Sequence, residues 1–212
     1  MFLIEFCEYC KEIKKKVVLE NINVIFESGK IYKLEGPNGS GKTMLLRAIA
    51  GLIYPSKGKL IINETDIRVN EKYPVKVGAL IENPAFWKNY TGFEILKYLA
   101  SIRGETDDVE IKEYMKIFGL DPDDKRTVGK YSLGMKQKLG IVQAIMEKPD
   151  IVLLDEPINA LDSNAIQVFT EIVKKEKERG AVVIIAIHNQ GDLNLEFDKC
   201  IRIEEGRIVN EY

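Results

Sequence analysis

A glycine-rich run that ends in a lysine and a threonine is the first group of residues with recognisable chemistry. It reads Gly36-Pro37-Asn38-Gly39-Ser40-Gly41-Lys42-Thr43, fits G-x-x-x-x-G-K-[ST], follows an apolar segment and opens a helical pattern. Glycines let backbone N–H groups approach anionic oxygens, and a helix that starts here adds its positive end. Lys42 suits the β- and γ-phosphates of a nucleoside triphosphate, and the Thr43 hydroxyl suits Mg²⁺. The run alone predicts nucleoside triphosphate binding and nothing narrower.

Two adjacent carboxylates, Asp155 and Glu156, follow the apolar run 151–154. A side chain at the carboxyl end of a strand in an open parallel sheet faces the ligand crevice. Asp155 suits the Mg²⁺ shell through a water, and Glu156 suits a base that polarises an attacking water. The alternative is a solvated strand end, which is disfavoured because the apolar run predicts a buried strand.

These residues need a scaffold, and the apolar pattern indicates alternating strands and helices. Strands are predicted at 17–26, 30–34, 59–62, 75–81, 151–154 and 181–187, helices at 42–53 and 164–178, and a hairpin around Glu205 and Gly206. The stretch 84–147 is predicted to be largely helical. Such alternation favours an α/β fold with a mostly parallel, covered sheet, into which the helical stretch is inserted.

Length and composition limit the class of protein. The 212 residues suit one domain, 1–212, and the 45% hydrophobic and 30% charged residues are typical of a soluble globular protein. The net charge is −2 and the longest basic run, Lys14-Lys15-Lys16, is short, so nucleic-acid binding is not expected. The longest uncharged apolar stretch, 181–187, falls far short of the ~20 residues that a membrane-spanning helix needs, and the first residues lack a signal-peptide layout. We therefore expect a cytoplasmic protein that relies on another chain for any membrane crossing.

Cys7 and Cys10 form a C-x-x-C pair, which raises the alternative of a metal or redox site. A structural zinc site needs four ligands, and only Cys200 and the sole histidine, His188, remain as sulfur and nitrogen candidates. We therefore interpret the three cysteines as reduced thiols.

Three further motifs carry a family resemblance. Tyr131-Ser132-Leu133-Gly134-Met135-Lys136-Gln137 resembles the L-S-G-G-Q signature of the ABC (ATP-binding cassette) ATPases, and it lies between the glycine-rich run and the carboxylate strand. Asn159-Ala160-Leu161-Asp162 resembles the D-loop of that family, and His188 resembles its switch histidine. With all motifs in this order, the chain resembles an ABC ATPase over nearly its whole length.

The resemblance implies a RecA-like P-loop core with a small N-terminal antiparallel β-subdomain and a helical subdomain at about 84–147. It also implies a head-to-tail homodimer or heterodimer, in which each ATP rests on one subunit's glycine-rich run and on Ser132 and Gly134 of the other. His188 would hydrogen-bond the γ-phosphate and the attacking water, so the implied catalytic residues are Glu156, His188 and Lys42. The nucleotide contacts would be residues 36–43 with Met44, Ile13, Val18, Ser132, Gly134 and Asp162, and the Mg²⁺ ligands Thr43, Glu82 and Asp155.

The motifs depart from the family pattern at three positions. Leu133 and Met135 replace the first glycine and the glutamine of the signature, and Glu82 replaces the glutamine of the Q-loop. These changes resemble exporters of the bacitracin- and lantibiotic-resistance type. A carboxylate at position 82 can still reach Mg²⁺ through oxygen.

The adenine contact departs from the pattern as well. Alignment on Val18 and Leu19 places Ile13 where the family has an aromatic residue. An aliphatic side chain still buries the ring but lacks a stacking contribution of about 1 kcal/mol. Tyr9, four residues earlier, is the alternative if the loop is rearranged.

We therefore predict an ATPase at the cytoplasmic face of a membrane that drives transport through a separate membrane subunit. Export is favoured over import, because importer motors often carry a C-terminal extension and this sequence ends after its final hairpin. The rival function is that of a soluble, single-cassette ATPase in assembly or repair. A third alternative, a degenerate cassette that binds ATP as a switch, is disfavoured by intact Lys42, Asp155, Glu156 and His188.

An aromatic cluster directly after Glu82, with Phe86, Trp87 and Tyr90, is the predicted docking surface for the membrane subunit. In related transporters this segment lines a groove that receives a short cytosolic helix of that subunit. The alternative is that Phe86 and Trp87 pack the helical subdomain onto the core. If the segment is helical or extended, these adjacent residues cannot both face the same way, so one would lie in the core while the other docks.

Overall fold

The computed structural model describes residues 2–68, 73–188 and 193–212. Its strands are β1 (Leu3–Ile13), β2 (Lys16–Glu27), β3 (Lys30–Glu35), β4 (Lys57–Ile62), β5 (Thr65–Asp66), β6 (Val77–Leu80), β7 (Ile151–Asp155), β8 (Val182–Ala186), β9 (Lys199–Glu204) and β10 (Arg207–Glu211). Its helices are α1 (Lys42–Ile49), α2 (Gly92–Ser101), α3 (Asp108–Ile117), α4 (Leu133–Ile145) and α5 (Ser163–Glu178), with a 3-10 turn at Val128–Lys130. The order of the elements confirms the predicted α/β class.

A six-stranded sheet in the order β10-β9-β3-β8-β7-β6 is the centre of the fold. Its strands pair in parallel except for β10, which is antiparallel to β9, so the mostly parallel sheet is confirmed. The register places Leu34 of β3 and Asp155 of β7 each beside Ala186 of β8. The glycine-rich run and the carboxylate pair therefore start from the same edge of the sheet.

Both faces of the central sheet are buried, and the alternation of side chains along each strand serves both faces. On β7, Ile151 and Leu153 join a hydrophobic cluster with α1 and the N-terminal strands. Val152 and Leu154 point the other way, into a cluster with α2, α3, α4 and α5. Each fully buried aliphatic side chain contributes about 1.5–3 kcal/mol, which explains why the strand is continuously apolar.

A four-stranded antiparallel sheet in the order β2-β1-β4-β5 confirms the predicted N-terminal β-subdomain. Strand β1 is absent from the strands predicted from the sequence, because a bulge breaks its alternation of apolar and polar residues. Phe6 and Tyr9 are both buried although three positions apart, and Glu8 between them takes a left-handed φ of +47°. The turn after β2 then carries the chain into the central sheet.

Helix α1 is shorter than the predicted 42–53. Gly51 takes a φ of +71°, and its N–H donates to the carbonyl of Ala48 at 3.0 Å. The N–H of Leu52 donates to the carbonyl of Arg47 at 2.9 Å. This pair of bonds is a common glycine-terminated helix end, so residues 50–53 leave the helix.

The predicted helical stretch contains α2, α3 and α4, each opened by a capping side chain. Thr91 and Glu94 cap α2 reciprocally, while Asp107 and Ser132 accept backbone N–H bonds at the starts of α3 and α4. Among the described helices, none is long and apolar enough to cross a membrane.

Helix α4 lies directly on strand β6 at two glycines. A Cβ at Gly78 would overlap the carbonyl oxygen of Ala144, and a Cβ at Gly140 would come within 2.8 Å of the Leu80 side chain. This close approach fixes the helix against the sheet edge that carries Glu82.

Candidate functional site

A cavity of about 740 Å³ opens at the sheet edge where β3 and β7 end. The glycine-rich run and the start of α1 line it with Asn38, Gly39, Gly41, Lys42, Thr43 and Met44. Four further residues predicted from the sequence to be site residues also line the cavity: Val18, Glu82, Asp155 and Glu156. The structure thus brings together residues that are far apart in the sequence, in one cleft of the size that small-molecule sites have.

The backbone of the glycine-rich run follows a path that only glycine permits at two positions. Gly36 has a φ of +145°, and a Cβ there would overlap the carbonyl oxygen of Ile203 on β9. Gly41 has a φ of +117° and is the N-cap of α1. Among the residues that the structure describes, no side chain caps α1, so the first N–H groups of the helix can bind an anion.

Two polar side chains within the run are buried. The Lys42 ammonium donates to the carbonyl oxygens of Gly36 at 2.7 Å and Pro37 at 3.1 Å. The Ser40 hydroxyl has no hydrogen-bond partner within the described part of the chain. A buried hydroxyl without a partner is unfavourable, and an anionic oxygen held in the loop would satisfy it. The run therefore fits a phosphate group.

The hairpin turn between β9 and β10 is hydrogen-bonded to the glycine-rich run. The N–H of Gly206 donates to the carbonyl of Ser40 at 2.7 Å, and the carbonyl of Gly206 accepts the N–H of Glu20 at 2.8 Å. Glu205 and Gly206 also line the cavity. Sequence reasoning predicts the hairpin but not this contact, because nothing local in the sequence indicates which loop the turn meets.

Thr43 and Asp155 form the candidate metal position. The Thr43 hydroxyl donates to Oδ2 of Asp155 at 2.7 Å, and burial raises the pKa of that carboxyl, against the effects of Thr43 and of the N–H of Glu82. Hydroxyl and carboxylate oxygens are ligands that Mg²⁺ prefers. Among the described residues no cluster of three His, Cys, Asp or Glu side chains could hold a metal, so phosphate oxygens and water would have to complete the shell.

Glu156 has a strained backbone and a well-held carboxylate. Its φ is +48°, a left-handed conformation that is uncommon for a residue other than glycine and is often found at functional sites. Its backbone N–H donates to the carbonyl of Ala186 at 2.8 Å, and its Oε1 accepts the backbone N–H of His188 at 2.9 Å. Burial raises the pKa of the Glu156 carboxyl, although the His188 N–H and Lys42 act in the opposite direction. The side chain of His188 is exposed at the same edge.

Glu82 lines the cavity, but its carboxylate pairs with the Arg47 guanidinium on α1 at 2.9 Å. Its φ of +61° is again left-handed. The structure therefore places Glu82 beside the candidate metal position through its backbone N–H, which bonds to Asp155, while its side chain is engaged elsewhere.

Ser132, Gly134 and Asp162 do not line the cavity. Ser132 is exposed and accepts the N–H of Met135 at 3.1 Å as the N-cap of α4. Asp162 caps α5 through the N–H of Ala165 at 2.8 Å and is exposed. These predicted nucleotide contacts are thus separate from the residues that the cavity brings together.

The candidate adenine contacts are only partly assembled. Val18 and Met44 line the cavity, together with Lys16 and Val17 of the same strand, but Ile13 is not among the lining residues. Tyr9 is 0% exposed and its hydroxyl faces the carbonyl of Ile53, so the alternative that Tyr9 stacks on a base is wrong. Residue 9 lies in the core because the bulge in β1 turns it inward.

An aromatic cluster lies on the surface of the helical stretch. Trp87 is 53% exposed, and its ring meets the ring of Tyr90 at 6.2 Å and the ring of Tyr98 at 5.2 Å between centroids, both edge to face. These rings line a second cavity, of about 430 Å³, with Glu94. Phe86 packs against the hydrophobic core instead, so the adjacent aromatic residues face opposite ways.

Cys7 and Cys10 both lie on β1, where a register shift separates them. The sulfur of Cys10 accepts the N–H of Asn21 at 3.2 Å. Burial, followed by the charge of Glu5, raises the pKa of the Cys7 thiol. All three cysteines are free thiols in the structure.

Comparison with known proteins places these features in context. A family model described as ABC transporter matches residues 19–159. The chain is 43% identical over 206 residues to the uncharacterized ABC transporter ATP-binding protein YybJ of Bacillus subtilis, which covers 97% of this chain and 94% of the relative. It is 34% identical to the bacitracin transport ATP-binding protein BcrA of Enterococcus faecalis, over 99% of this chain and 69% of the relative. It is 33% identical to the lantibiotic transport ATP-binding protein SrtF of Streptococcus pyogenes, over 95% and 86%.

Solved structures show the same fold. A structure of an ATP binding subunit of an ABC transporter superposes with a TM-score of 0.88 at 26% identity, covering 99% of this chain and 89% of the other. A dimeric, post-hydrolysis cassette, MJ0796 bound to ADP and Pi, superposes with a TM-score of 0.82 at 21% identity, covering 100% and 98%.

Proposed function

The chain belongs to the ABC transporter family, and we propose that it is the ATP-hydrolysing subunit that drives export through a separate membrane subunit. The observation that carries this proposal is the meeting of Lys42 and Thr43 with Asp155 and Glu156 in one cavity. Transport is favoured over assembly or repair because similar proteins are named for bacitracin and lantibiotic transport.

The phosphates of ATP would lie on the glycine-rich run. Within residues 2–68, 73–188 and 193–212, the Ser40 hydroxyl has no hydrogen-bond partner and no side chain caps the first turn of α1, so both can bind anionic oxygens. Lys42, which now donates to backbone carbonyls, would turn to the β- and γ-phosphates. Val18 and Met44 would contact the base side of the cavity, and Ile13 only if the end of β1 moves.

Mg²⁺ would be held by Thr43 and, through water, by Asp155, and Glu82 would reach it only after leaving Arg47. When bound, the ion neutralises negative charge on the phosphate oxygens. Burial raises the pKa of Asp155, and a nearby cation would oppose that effect by favouring the charged carboxylate.

Glu156 would act on the attacking water. As the water oxygen bonds to the γ-phosphorus, the bond to the bridging oxygen breaks, and a proton of the water passes to the Glu156 carboxylate. The backbone N–H of His188 orients that carboxylate, and the exposed imidazole of the same residue would face the γ-phosphate. The reaction then needs positioning and charge stabilisation but no covalent intermediate.

A second subunit would complete each site. Ser132 and Gly134 lie outside the cavity, at the start of α4, where Ser132 is exposed. A hydroxyl and backbone N–H groups at a helix N-terminus suit the γ-phosphate of an opposing subunit. We therefore infer a head-to-tail dimer, formed with a second copy or with another cassette.

The membrane subunit would dock on the cluster of Trp87, Tyr90 and Tyr98, at the cytoplasmic face of the membrane. Exposed aromatic side chains around a cavity are frequent anchors of protein interfaces. Glu82 is five residues before Trp87, so one short segment links the docking surface to the nucleotide cavity.

The test uses the purified chain and two variants. Wild type should hydrolyse ATP, Glu156→Gln should bind ATP without turnover, and Lys42→Ala should lose ATP affinity at least about tenfold, because a charge-assisted contact is removed. Phosphate release and isothermal titration measure the two quantities. Turnover in Glu156→Gln equal to that of wild type would refute the assignment of the base.

A further inference from the structure

We propose that Gln137 is a positioning residue for hydrolysis, which fixes the backbone under Glu156 and links it to the exposed start of α4. The inference rests on the proposed function, since it assumes that Glu156 acts on the attacking water. It concerns a side chain in the second turn of α4 that the mechanism above does not use.

The contact itself is buried and uses both N–H donors of the amide. Nε2 of Gln137 donates to the carbonyl of Glu156 at 3.2 Å and to the carbonyl of Pro157 at 3.0 Å, and the residue is 4% exposed. A buried carbonyl group that loses its donor is unfavourable, so replacing this amide by an apolar side chain should raise the free energy of the native conformation. The two bonds fix the carbonyl groups of consecutive residues directly after the end of β7.

The backbone at this point needs support. Glu156 takes a φ of +48°, which is an unfavourable conformation for its side chain and persists only when the surroundings impose it. The N–H of Glu156 is fixed by Ala186 of β8, and Gln137 holds the carbonyl on the other side of the residue. The direction of the carboxylate therefore depends on both the sheet and α4.

Two more contacts join the start of α4 to the chain that follows Glu156. Gly134 packs so closely that a Cβ there would lie 2.6 Å from the carbonyl oxygen of Ala160, itself at a φ of +62°. Lys138 pairs with Asp162 at 2.9 Å. The segment 156–162 is thus held at three places by residues 134, 137 and 138 of one helix.

This arrangement has a mechanical consequence. The helix is rigid over a few turns, so a shift at Ser132, where the opposing subunit's ATP would bind, displaces the residues that hold Glu156. Closure of one nucleotide site would then align the base of the other site. Gln137 is the only one of the three contacts that touches the backbone of Glu156 itself.

The experiment compares Gln137→Leu with Gln143→Leu, the same substitution on the same helix six residues later. Gln137→Leu should lower kcat at least about tenfold, because small misplacements of catalytic groups are costly, while ATP affinity stays within about twofold. In a Glu156→Gln background, it should still form an ATP-dependent dimer. Gln143→Leu should match wild type in all three measurements. A merely structural role would lower thermal stability, ATP binding and dimer formation together.

Equal kcat for Gln137→Leu and wild type would overturn the inference, and so would a loss of ATP affinity as large as the loss of kcat. If Gln137→Leu does not fold, Lys138→Met is the second test, because it removes the ion pair of Lys138 with Asp162 between the same two segments. This variant must lower kcat without lowering ATP affinity. Absence of hydrolysis in wild type would instead contradict the proposed function.

Discussion

Two glutamates of this protein have opposite surroundings, and they give a prediction about charge. Burial raises the pKa of Glu156 above the ordinary 4.5, whereas the N–H of Thr91 lowers the pKa of the exposed Glu94 below it. A base must be deprotonated to accept a proton, so hydrolysis should be lost as the pH falls through the raised pKa of Glu156. Carboxyl ¹³C NMR during a pH titration of the nucleotide-free protein measures both groups.

The Glu156 resonance, identified by its loss in Glu156→Gln, should have its midpoint above 4.5, and Glu94 should have its midpoint below. Glu94 is the internal control, because both values come from one sample. A Glu156 midpoint at or below that of Glu94 would contradict the effect of burial on the Glu156 carboxyl.

The pair between Arg47 and Glu82 competes with the proposed metal contact of Glu82. Removing the guanidinium in Arg47→Leu frees the carboxylate, and partly exposed pairs contribute up to about 1 kcal/mol, so Mg²⁺·ATP affinity should rise by about two- to fivefold. Titration calorimetry with and without Mg²⁺ separates the metal-dependent part.

The matched control for this substitution is Arg68→Leu, which breaks the pair of Arg68 with Asp66 at 2.8 Å outside the cavity. That variant should keep wild-type affinity. Weaker Mg²⁺·ATP binding in Arg47→Leu would mean that the guanidinium assists the nucleotide site directly.

Much of the residue-level site is predictable, because its motifs are local in the sequence. Lys42, Thr43, Asp155 and Glu156 lie in short patterns whose chemistry can be read directly, and the structure places all four at one cavity. Contacts such as that of Gln137 with Glu156 are not predictable, since they depend on how two distant elements pack.

At the scale of elements, the closest packing is that of α4 on β6. Gly78→Ala would push a Cβ into the carbonyl of Ala144, so α4 or β6 must shift. Overpacking of this kind costs about 1–3 kcal/mol or more, and we expect the free energy of unfolding to fall by about 3 kcal/mol. Urea denaturation followed by circular dichroism measures the change.

Gly119→Ala serves as the comparison, because its Cβ meets nothing within 4 Å and only its φ of +70° opposes the substitution. That change should cost about 1 kcal/mol. Equal losses in the two variants would show that the contact with Ala144 contributes nothing.

The apolar patterns predict most elements but not all of their limits. The strands around 151–154 and 181–187 are long apolar runs, and both appear as central strands, β7 and β8. Strand β1 is missed because its bulge places Phe6 and Tyr9 on one face at a spacing that alternation does not predict. Helix α1 ends early because a glycine closes it, which the helical pattern alone does not reveal.

At the scale of the whole molecule, Trp87 tests the docking surface. Trp87→Ala removes the exposed ring that contacts Tyr90 and Tyr98, so the subunit should fold and hydrolyse ATP at a near-normal basal rate. Its association with the co-expressed membrane subunit should weaken at least about tenfold, as for an aromatic interface anchor. Co-purification and surface plasmon resonance measure that association.

Tyr54→Ala is the control, since Tyr54 is an equally exposed aromatic residue outside the cluster. It should leave association unchanged. A Trp87→Ala subunit that still associates normally, or one that fails to fold, would eliminate the cluster as the docking surface.

The strand that leads into the glycine-rich run, β3, follows β2 immediately in the sequence but pairs with β8 and β9, which come more than 140 residues later. During synthesis, the N-terminal sheet can pair early, while β3 waits for partners that emerge on the order of ten seconds later at typical translation rates. Until then its apolar faces lack their neighbours. Competence to bind nucleotide is therefore acquired late and at once, when β8 and β9 leave the ribosome, and a nascent chain that stalls before them is a substrate for chaperones and not yet a motor.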